Sequence, residues 1–202
     1  MEWTPMELNP ELMRCLGVSE SWRFVDVVGL ESEQLSAVPK PCCALMLLFP
    51  LTHKHESFRQ QQADKVAGGS EVYFLKQTAG NSCGTIALLH AVANNKSKMT
   101  FGESSGSILK KFLDETANMS PDGRTKHLDK NQADKVNFHL IAFVNVNGQL
   151  YEFDGRMDGP VKHGATSDDI SFLSQDAAKV CRGFIEREQG EVRFSSVALC
   201  HS

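Results

Sequence analysis

The sequence predicts an α/β (α+β) fold with a central, mostly antiparallel sheet flanked by helices. Three observations favour this fold class: apolar segments of strand length, helical patterns between them, and an Asn147-Gly148 pair between two adjacent strand segments. Helices interleaved with five or six strands are typical of a layered domain, and Asn-Gly between such segments is a strong hairpin signal. At 202 residues the chain is predicted to form a single domain, residues 1–202.

The first half of the chain alternates predicted strands and helices. Strands are predicted where apolar residues are dense and Gly or Pro flanks them, at residues 23–28, 42–48 and 72–75. Helices are predicted at residues 30–35, 55–66 and 83–94, the last of them capped by Asn81 or Ser82. The second of these helices is polar, so we expect it to be exposed.

The second half contains the predicted hairpin. Residues 107–119 have an amphipathic helical pattern, Ser120-Pro121 indicates the start of another helix, and residues 176–188 are also predicted helical. Residues 136–146 and 149–153 are predicted to be the hairpin strands, and residues 192–199 the last strand. No repeat or linker divides the sequence, so one fold must bring these segments together.

Charge and cysteine content exclude several classes of protein. With 21 basic and 25 acidic residues, the net charge is −4, so we expect no nucleic-acid partner. The six cysteines include no C-x-x-C pair and no zinc-like spacing, so neither a metal nor another cofactor is expected. The polar start of the chain resembles no signal peptide, which favours reduced thiols and a cytoplasmic location.

We also expect no stable membrane anchor. The longest apolar run, residues 42–49, is far shorter than the roughly 20 residues that span a bilayer. The ending Cys200-His-Ser leaves only two residues after the cysteine, whereas a prenylation signal has three.

Cys83 occupies a position that favours a thiolate. It follows a polar loop, Gln77-Thr-Ala-Gly-Asn-Ser, and begins a predicted apolar helix. A helix N-terminus carries about half a positive charge and unpaired N–H groups, both of which stabilise a thiolate. The same N–H groups, with the side-chain NH₂ of Gln77, are suited to hold a developing oxyanion. Cys83 is therefore the candidate nucleophile and Gln77 a candidate oxyanion donor.

His139 and Asp154 are predicted to be neighbours across the hairpin. His139 lies in a strand otherwise made of core residues, and Asp154 follows the next strand. Pairing about Asn147-Gly148 places Asp154 within two residues of the position opposite His139. A thiol nucleophile needs a base and a third group that fixes the base's tautomer. His139 is the candidate base and Asp154 the candidate residue that orients it.

Other readings of these residues stay open. Taken singly, Cys83 fits a small buried apolar residue, His139 a core histidine, and Asp154-Gly155 a turn. His163 is the rival base, placed second because no turn implies a partner for it. The other histidines are expected to be solvated (His53 and His55) or packed (His90), and four cysteines lack an activating context: Cys42, Cys43, Cys181 and Cys200.

Several long segments resemble the small ubiquitin C-terminal hydrolases. They are Val72-Tyr-Phe-Leu-Lys-Gln-Thr-Ala-Gly-Asn-Ser-Cys-Gly-Thr-Ile-Ala-Leu-Leu-His-Ala, Val136-Asn-Phe-His, Leu150-Tyr-Glu-Phe-Asp-Gly-Arg and Glu186-Arg-Glu-Gln-Gly-Glu-Val-Arg-Phe. Trp22-Arg-Phe-Val-Asp-Val is similar to the first strand of that family. The resemblance covers nearly the whole chain.

The resemblance implies a papain-like fold with a knotted backbone, a Cys/His/Asp triad and an oxyanion glutamine. Those roles fall on Cys83, His139, Asp154 and Gln77. The implied activity is cleavage of small adducts or peptides from the C-terminal glycine of ubiquitin, and the implied partner is ubiquitin, with its C-terminal tail in the active-site cleft. Two alternatives remain: a protein that holds monomeric ubiquitin with little turnover, and a papain-like peptidase that ignores ubiquitin.

The chain departs from the family at residues 120–135. The family carries a longer segment there, in which a loop crosses the active site and limits the size of the substrate. We therefore expect size filtering to be relaxed if this shorter connection is genuine.

Overall fold

A computed structural model of the chain describes residues 17–19, 21–67, 71–78, 82–99, 101, 107–128, 138–166, 172–191 and 193–201. Six strands lie within these residues: β1 (Trp22–Val27), β2 (Cys42–Pro50), β3 (Phe138–Val146), β4 (Gln149–Phe153), β5 (Val161–Ala165) and β6 (Ser195–His201). The same residues contain six α-helices: α1 (Ser32–Ser36), α2 (His53–Gln61), α3 (Cys83–Ala93), α4 (Ile108–Thr116), α5 (Pro121–Leu128) and α6 (Ala178–Arg187). A 3₁₀ turn (Ala63–Lys65) follows α2, and a π-helical turn (Phe172–Ala177) precedes α6.

The strands form one sheet in the order β1-β6-β2-β3-β4-β5, and every neighbouring pair is antiparallel. Helices cover both faces. α3 packs against one face and α6 against the other, so alternate residues of β2 and β3 point to different helices. The α3 face includes Ala44, Met46, Ala142 and Val144, and the α6 face includes Leu45, Leu47, Ile141 and Phe143. The predicted fold class is confirmed.

The β3–β4 hairpin has the predicted turn and register. Asn147 and Gly148 both have positive φ, 51° and 73°, as a type I′ turn requires. The N–H of Gly148 also donates to Oδ1 of Asn145 at 3.0 Å. Ala142 pairs with Phe153, so the strands are aligned about Asn147-Gly148 as the sequence predicted.

Capping side chains explain where several helices begin. Thr52 accepts the N–H of His55 at 3.1 Å, so α2 begins at His53 and not at the predicted residue 55. Ser107 caps α4 in the same way, and Ser120 accepts the N–H of Gly123 at the predicted start of α5. Ser82 occupies the predicted N-cap position of α3, but its side chain makes no capping hydrogen bond; Asn81, the other predicted cap, lies outside the described residues.

The predicted strand at residues 72–75 is wrong. Residues 73–78 belong to no strand, because side chains satisfy the backbone groups that a neighbouring strand would otherwise bond. Three side chains do so: Asn94 bonds the N–H and C=O of Tyr73, His90 lies within 3.2 Å of the N and O of Leu75, and Thr125 bonds the N–H and C=O of Lys76.

Strand β5 (Val161–Ala165), which contains His163, was not predicted from the sequence. It is an edge strand with largely exposed side chains, and it contains Gly164 with φ of 115°. A register shift in its pairing with β4 further obscures the alternating pattern of a strand. The second part of the short connection predicted at residues 120–135, residues 129–135, lies outside the described residues, since α5 ends at Leu128 and the description resumes at residue 138.

Candidate active site

The thiol of Cys83 lies at the first residue of α3, as the sequence predicted. Cys83 is only 8% exposed, and the helix behind it buries Ile86, Leu88 and Leu89 in the core. Burial of an apolar side chain of this size contributes roughly 1.5–3 kcal/mol. The first turn of α3 is therefore held firmly against the sheet.

The surroundings of Cys83 lower the pKa of its thiol. Burial alone raises that pKa, but a hydrogen bond with His139, backbone hydrogen bonds from Leu140 and Gly84, and the charge of His139 outweigh it. The net result is a thiol whose pKa lies below its ordinary value.

His139 and Asp154 form a buried hydrogen-bonded pair at the end of the β3–β4 hairpin. His139 is the second residue of β3, opposite Phe49 of β2, and Asp154 directly follows β4. Nε2 of His139 donates to Oδ1 of Asp154 at 2.6 Å, and each residue is 1% exposed. The N–H of Arg156 donates to the same carboxylate oxygen at 2.9 Å.

The pKa values of this pair favour a protonated imidazole. Burial lowers the pKa of His139, but the charge of Asp154, the hydrogen bond to it and the hydrogen bond to Cys83 raise it to about 9. Burial raises the pKa of Asp154, whereas the charge and hydrogen bond of His139 hold it well below its usual range. Because His139 lowers the pKa of the thiol, and Asp154 raises the pKa of the imidazole, the pairing favours transfer of the proton from Cys83 to His139.

Gln77 is held beside this group by its backbone. Its N–H donates to the C=O of Gly155 at 2.6 Å. A Cβ atom at Gly155 would lie 2.7 Å from Cγ2 of Ile86 and 3.0 Å from Cβ of Gln77. Only glycine allows the loop before α3, the helix itself and the turn after β4 to converge this closely.

His90 supports the segment that carries Gln77. It is completely buried and stacks on Phe74, with ring centroids 5.0 Å apart, as expected for a packed histidine. Burial lowers its pKa to about 3, despite the opposing hydrogen bond with the backbone of Leu75. His90 is therefore neutral at physiological pH and acts as a hydrogen-bonding core residue.

His163, the rival base, has a different partner. Its Nε2 lies 2.7 Å from Oε2 of Glu152, a carboxylate that is 2% exposed. The structure therefore places His139, and not His163, beside both Cys83 and Asp154. His53 is exposed, as expected.

His55 was predicted to be solvated, and that prediction is wrong. It is 3% exposed, and its Nε2 lies 3.8 Å from Oδ2 of Asp154. The polar composition of residues 53–66 concealed this burial. Thr52 is the residue in the sequence that could have indicated this burial. A threonine at that position can cap a helix, and the cap fixes the position of the first turn of α2 relative to the end of β2.

The remaining described cysteines are buried and form no disulfide: Cys42, Cys43, Cys181 and Cys200. Within the described residues, no group of three or more His, Cys, Asp or Glu side chains is arranged to hold a metal ion. No helix in that part of the chain is long and apolar enough to cross a membrane.

A thiol at a helix N-terminus, beside an imidazole held by a carboxylate, is the arrangement of cysteine hydrolases. Comparison with known proteins gives the family. The family model described as "Ubiquitin carboxyl-terminal hydrolase, family 1" matches residues 3–186. Ubiquitin carboxyl-terminal hydrolase isozyme L1 of Equus caballus and that of Homo sapiens are each 56% identical to this chain over 224 positions, covering 99% of both chains. The chain belongs to ubiquitin carboxyl-terminal hydrolase family 1.

The relatives and a solved structure add two further findings. The alignments run over 224 positions, more than the 202 residues of this chain, so the relatives carry residues that this chain lacks. The catalytic domain of Trichinella spiralis UCH37, bound to ubiquitin vinyl methyl ester, has a TM-score of 0.76 and 22% identity, covering 100% of this chain and 97% of that one. At this identity the likeness concerns the fold, which is that of the family.

Proposed function

We propose that this chain is a deubiquitinating thiol hydrolase that cleaves small adducts or peptides from the C-terminal glycine of ubiquitin. The observation that carries the proposal is the hydrogen-bonded series Cys83, His139 and Asp154, in a chain of this family. The partner is ubiquitin, with its C-terminal tail in the cleft at the start of α3. The net charge of −4 suits a basic tail.

The proposed reaction proceeds through an acyl-enzyme. The thiolate of Cys83 attacks the terminal glycine carbonyl, and His139 gives its proton to the leaving amine or thiol as that bond breaks. Water then attacks the thioester, His139 takes a proton from it, and the bond to Cys83 breaks to release ubiquitin. Asp154 keeps the imidazole in the tautomer and orientation that both steps need.

When Cys83 attacks the terminal glycine, negative charge develops on the carbonyl oxygen of that glycine. Hydrogen-bond donors at the start of α3 are needed to stabilise this charge. Backbone N–H groups in the first turn point out of the helix, because no preceding turn accepts them. We assign Gln77 as the second donor, since its backbone is bonded to Gly155 next to Asp154. A Cβ added at Gly84 would meet no atom of the described residues within 4 Å, so this part of the structure leaves room for a substrate beside the thiol.

We assign the protein to the cytoplasm, because a thiol nucleophile must be kept reduced and that compartment maintains thiols.

Release of a fluorophore from the C-terminus of ubiquitin tests the proposal. Wild type is expected to turn over, and Cys83→Ala is expected to lose at least about 10³-fold in kcat. The matched control is Cys181→Ala, which removes another buried thiol outside the site and should keep kcat within about threefold. Ubiquitin binding, measured by calorimetry, should survive in all three proteins.

Three results would contradict the proposal. Wild type that binds ubiquitin but does not turn over would favour the ubiquitin-holding alternative. Cys83→Ala with near-normal turnover would move the nucleophile elsewhere. Equal cleavage of a short fluorogenic peptide without ubiquitin would indicate a peptidase indifferent to ubiquitin.

A further inference from the structure

Helix α2 is fastened to the turn that carries Asp154. Nη1 of Arg156 lies 3.1 Å from Oε1 of Glu56, and Nη1 of Arg59 donates to the C=O of Arg156 at 2.8 Å. Arg59 and Glu56 also form an ion pair with each other. These contacts join one face of α2 to the residues directly after the candidate catalytic carboxylate.

His55 lies on that face of α2 and points into the interior. Its N–H is accepted by Thr52, which fixes it in the first turn of the helix. Its ring meets Phe49 at 4.5 Å and Phe184 at 5.9 Å between centroids, and lies 6.3 Å from the ring of His139. The imidazole is thus placed among aromatic rings directly behind the active site.

The two oxygens of Asp154 are not equivalent. Oδ1 accepts from His139 and from the N–H of Arg156. Oδ2 is buried and has no hydrogen-bond partner among the described residues, and the same is true of Nε2 of His55. These two atoms lie 3.8 Å apart. A buried polar atom without a hydrogen-bond partner destabilises the fold. A hydrogen bond from Nε2 of His55 to Oδ2 of Asp154 would give each of these two atoms its partner.

We propose that His55 is a positioning residue of the active site, whose Nε2–H donates to Oδ2 of Asp154 and so fixes the carboxylate that orients His139. The present separation is about 1 Å longer than an ordinary hydrogen bond, and catalytic hydrogen bonds often tighten once substrate is bound. His55 also contributes to the low pKa of Asp154, after the larger effects of burial, which opposes it, and of His139.

The second donor restricts rotation of the carboxylate. A carboxylate bonded through one oxygen can turn about its Cβ–Cγ bond, and the imidazole bonded to it turns as well. With donors on both oxygens, the plane is fixed and the free nitrogen of His139 stays directed at Cys83. Because His55 lies behind Asp154 and not in the cleft, its loss should lower kcat and leave KM unchanged.

Three variants test this role, and the kinetic part rests on the proposed function. His55→Leu keeps a similar volume without a donor, His55→Gln places an amide NH₂ near the position of Nε2, and His53→Leu is the matched exposed control on the same helix. His55→Leu is expected to lose roughly 10- to 100-fold in kcat with ubiquitin–fluorophore, while His55→Gln recovers to within about threefold of wild type. His53→Leu should match wild type.

Two measurements need no ubiquitin. The proton between His139 and Asp154 should give a far-downfield NMR signal in wild type and in His55→Gln, and the signal should shift or vanish in His55→Leu. The rate at which iodoacetamide alkylates Cys83 should fall in His55→Leu alone. If wild type fails to cleave ubiquitin but these signals behave as stated, the proposed function fails and the role of His55 stands.

Two outcomes would overturn the role of His55. One is unchanged kcat and an unchanged NMR signal in His55→Leu. The other is an equal loss in His55→Leu and His55→Gln with the downfield signal intact in both, which would mean that only the shape of the imidazole matters.

Discussion

Two histidine–carboxylate pairs lie at neighbouring positions of the same sheet, and only one of them adjoins an activated thiol. His139 and Asp154 are 2.6 Å apart at the end of the β3–β4 hairpin, and His163 and Glu152 are 2.7 Å apart between β4 and β5. Both carboxylates are buried, at 1% and 2% exposure. The two pairs therefore match in separation and in burial of the carboxylate, although His163 is 21% exposed and His139 only 1%.

The thiols on which the two pairs act differ much more. Cys83 begins α3, and its bond to His139, together with the charge of His139 and two backbone hydrogen bonds, outweighs burial and lowers its pKa. Cys181 lies inside α6, where burial and then the charge of Glu152 raise its pKa well above the ordinary value. A carboxylate that acts on a thiol directly suppresses ionisation, whereas a carboxylate that acts through an imidazole promotes it. The order of the three groups, more than their presence, creates the candidate nucleophile.

The largest expected effect comes from replacing the carboxylate of Asp154 by an amide, and the same change at Glu152 is the comparison. Asp154→Asn should lower kcat by about 10³- to 10⁴-fold, because an amide favours the wrong tautomer of His139. Glu152→Gln should leave kcat within about threefold, since Glu152 pairs with His163 and not with His139. Ubiquitin–fluorophore turnover measures both, with circular dichroism as the check that each variant folds. Similar losses in the two variants would remove the distinction between the pairs.

The pH dependence of kcat/KM should reflect the His139–Asp154 pair and not the His163–Glu152 pair. Activity rises as Cys83 ionises, below the ordinary pKa of a thiol, and falls as His139 loses its proton at about 9. The charge of Asp154 raises the pKa of His139, so Asp154→Asn should move the alkaline limb to lower pH in the activity that remains. Glu152→Gln should leave both limbs in place. A profile that moves with Glu152 would contradict this assignment.

The parts of the site that the sequence predicted are those fixed by local chemistry. The Asn147-Gly148 turn sets the register of β3 and β4 and so brings His139 to Asp154. The polar loop followed by apolar residues marks the start of α3 at Cys83. Each signal lies within a few residues of the feature that it predicts, and no distant contact is needed to interpret it.

The parts that the sequence did not predict depend on distant contacts. The segment before α3 has the composition of a strand, but Asn94, His90 and Thr125 bond its backbone in place of a strand partner. His55 is buried because α2 packs against a turn about a hundred residues later in the chain. Neither arrangement produces a periodic pattern in the sequence, so propensity and spacing could not reveal it.

The smallest expected effects are changes in stability when one glycine in each region, Gly155 or Gly183, is replaced by alanine. Gly155→Ala would place Cβ 2.7 Å from Ile86 and 3.0 Å from Gln77, so neighbouring atoms must shift, at a cost of about 1–3 kcal/mol. Gly183→Ala, in the helix of Cys181, meets only Arg187 at 3.7 Å and should gain up to about 1 kcal/mol from helix propensity. In thermal unfolding, each kcal/mol corresponds to about 2–4 °C for a chain of this length.

Turnover separates a loss of stability from a loss of alignment in these two variants. Gly155→Ala should also lower kcat well below its melting temperature, because the shift displaces Gln77 and Asp154 from Cys83, whereas Gly183→Ala should leave kcat unchanged. A stable, fully active Gly155→Ala would mean that the turn after β4 can move without disturbing the thiol. In that case the close convergence at Gly155 would serve packing alone, and the alignment of the site would depend on the hairpin and on α2.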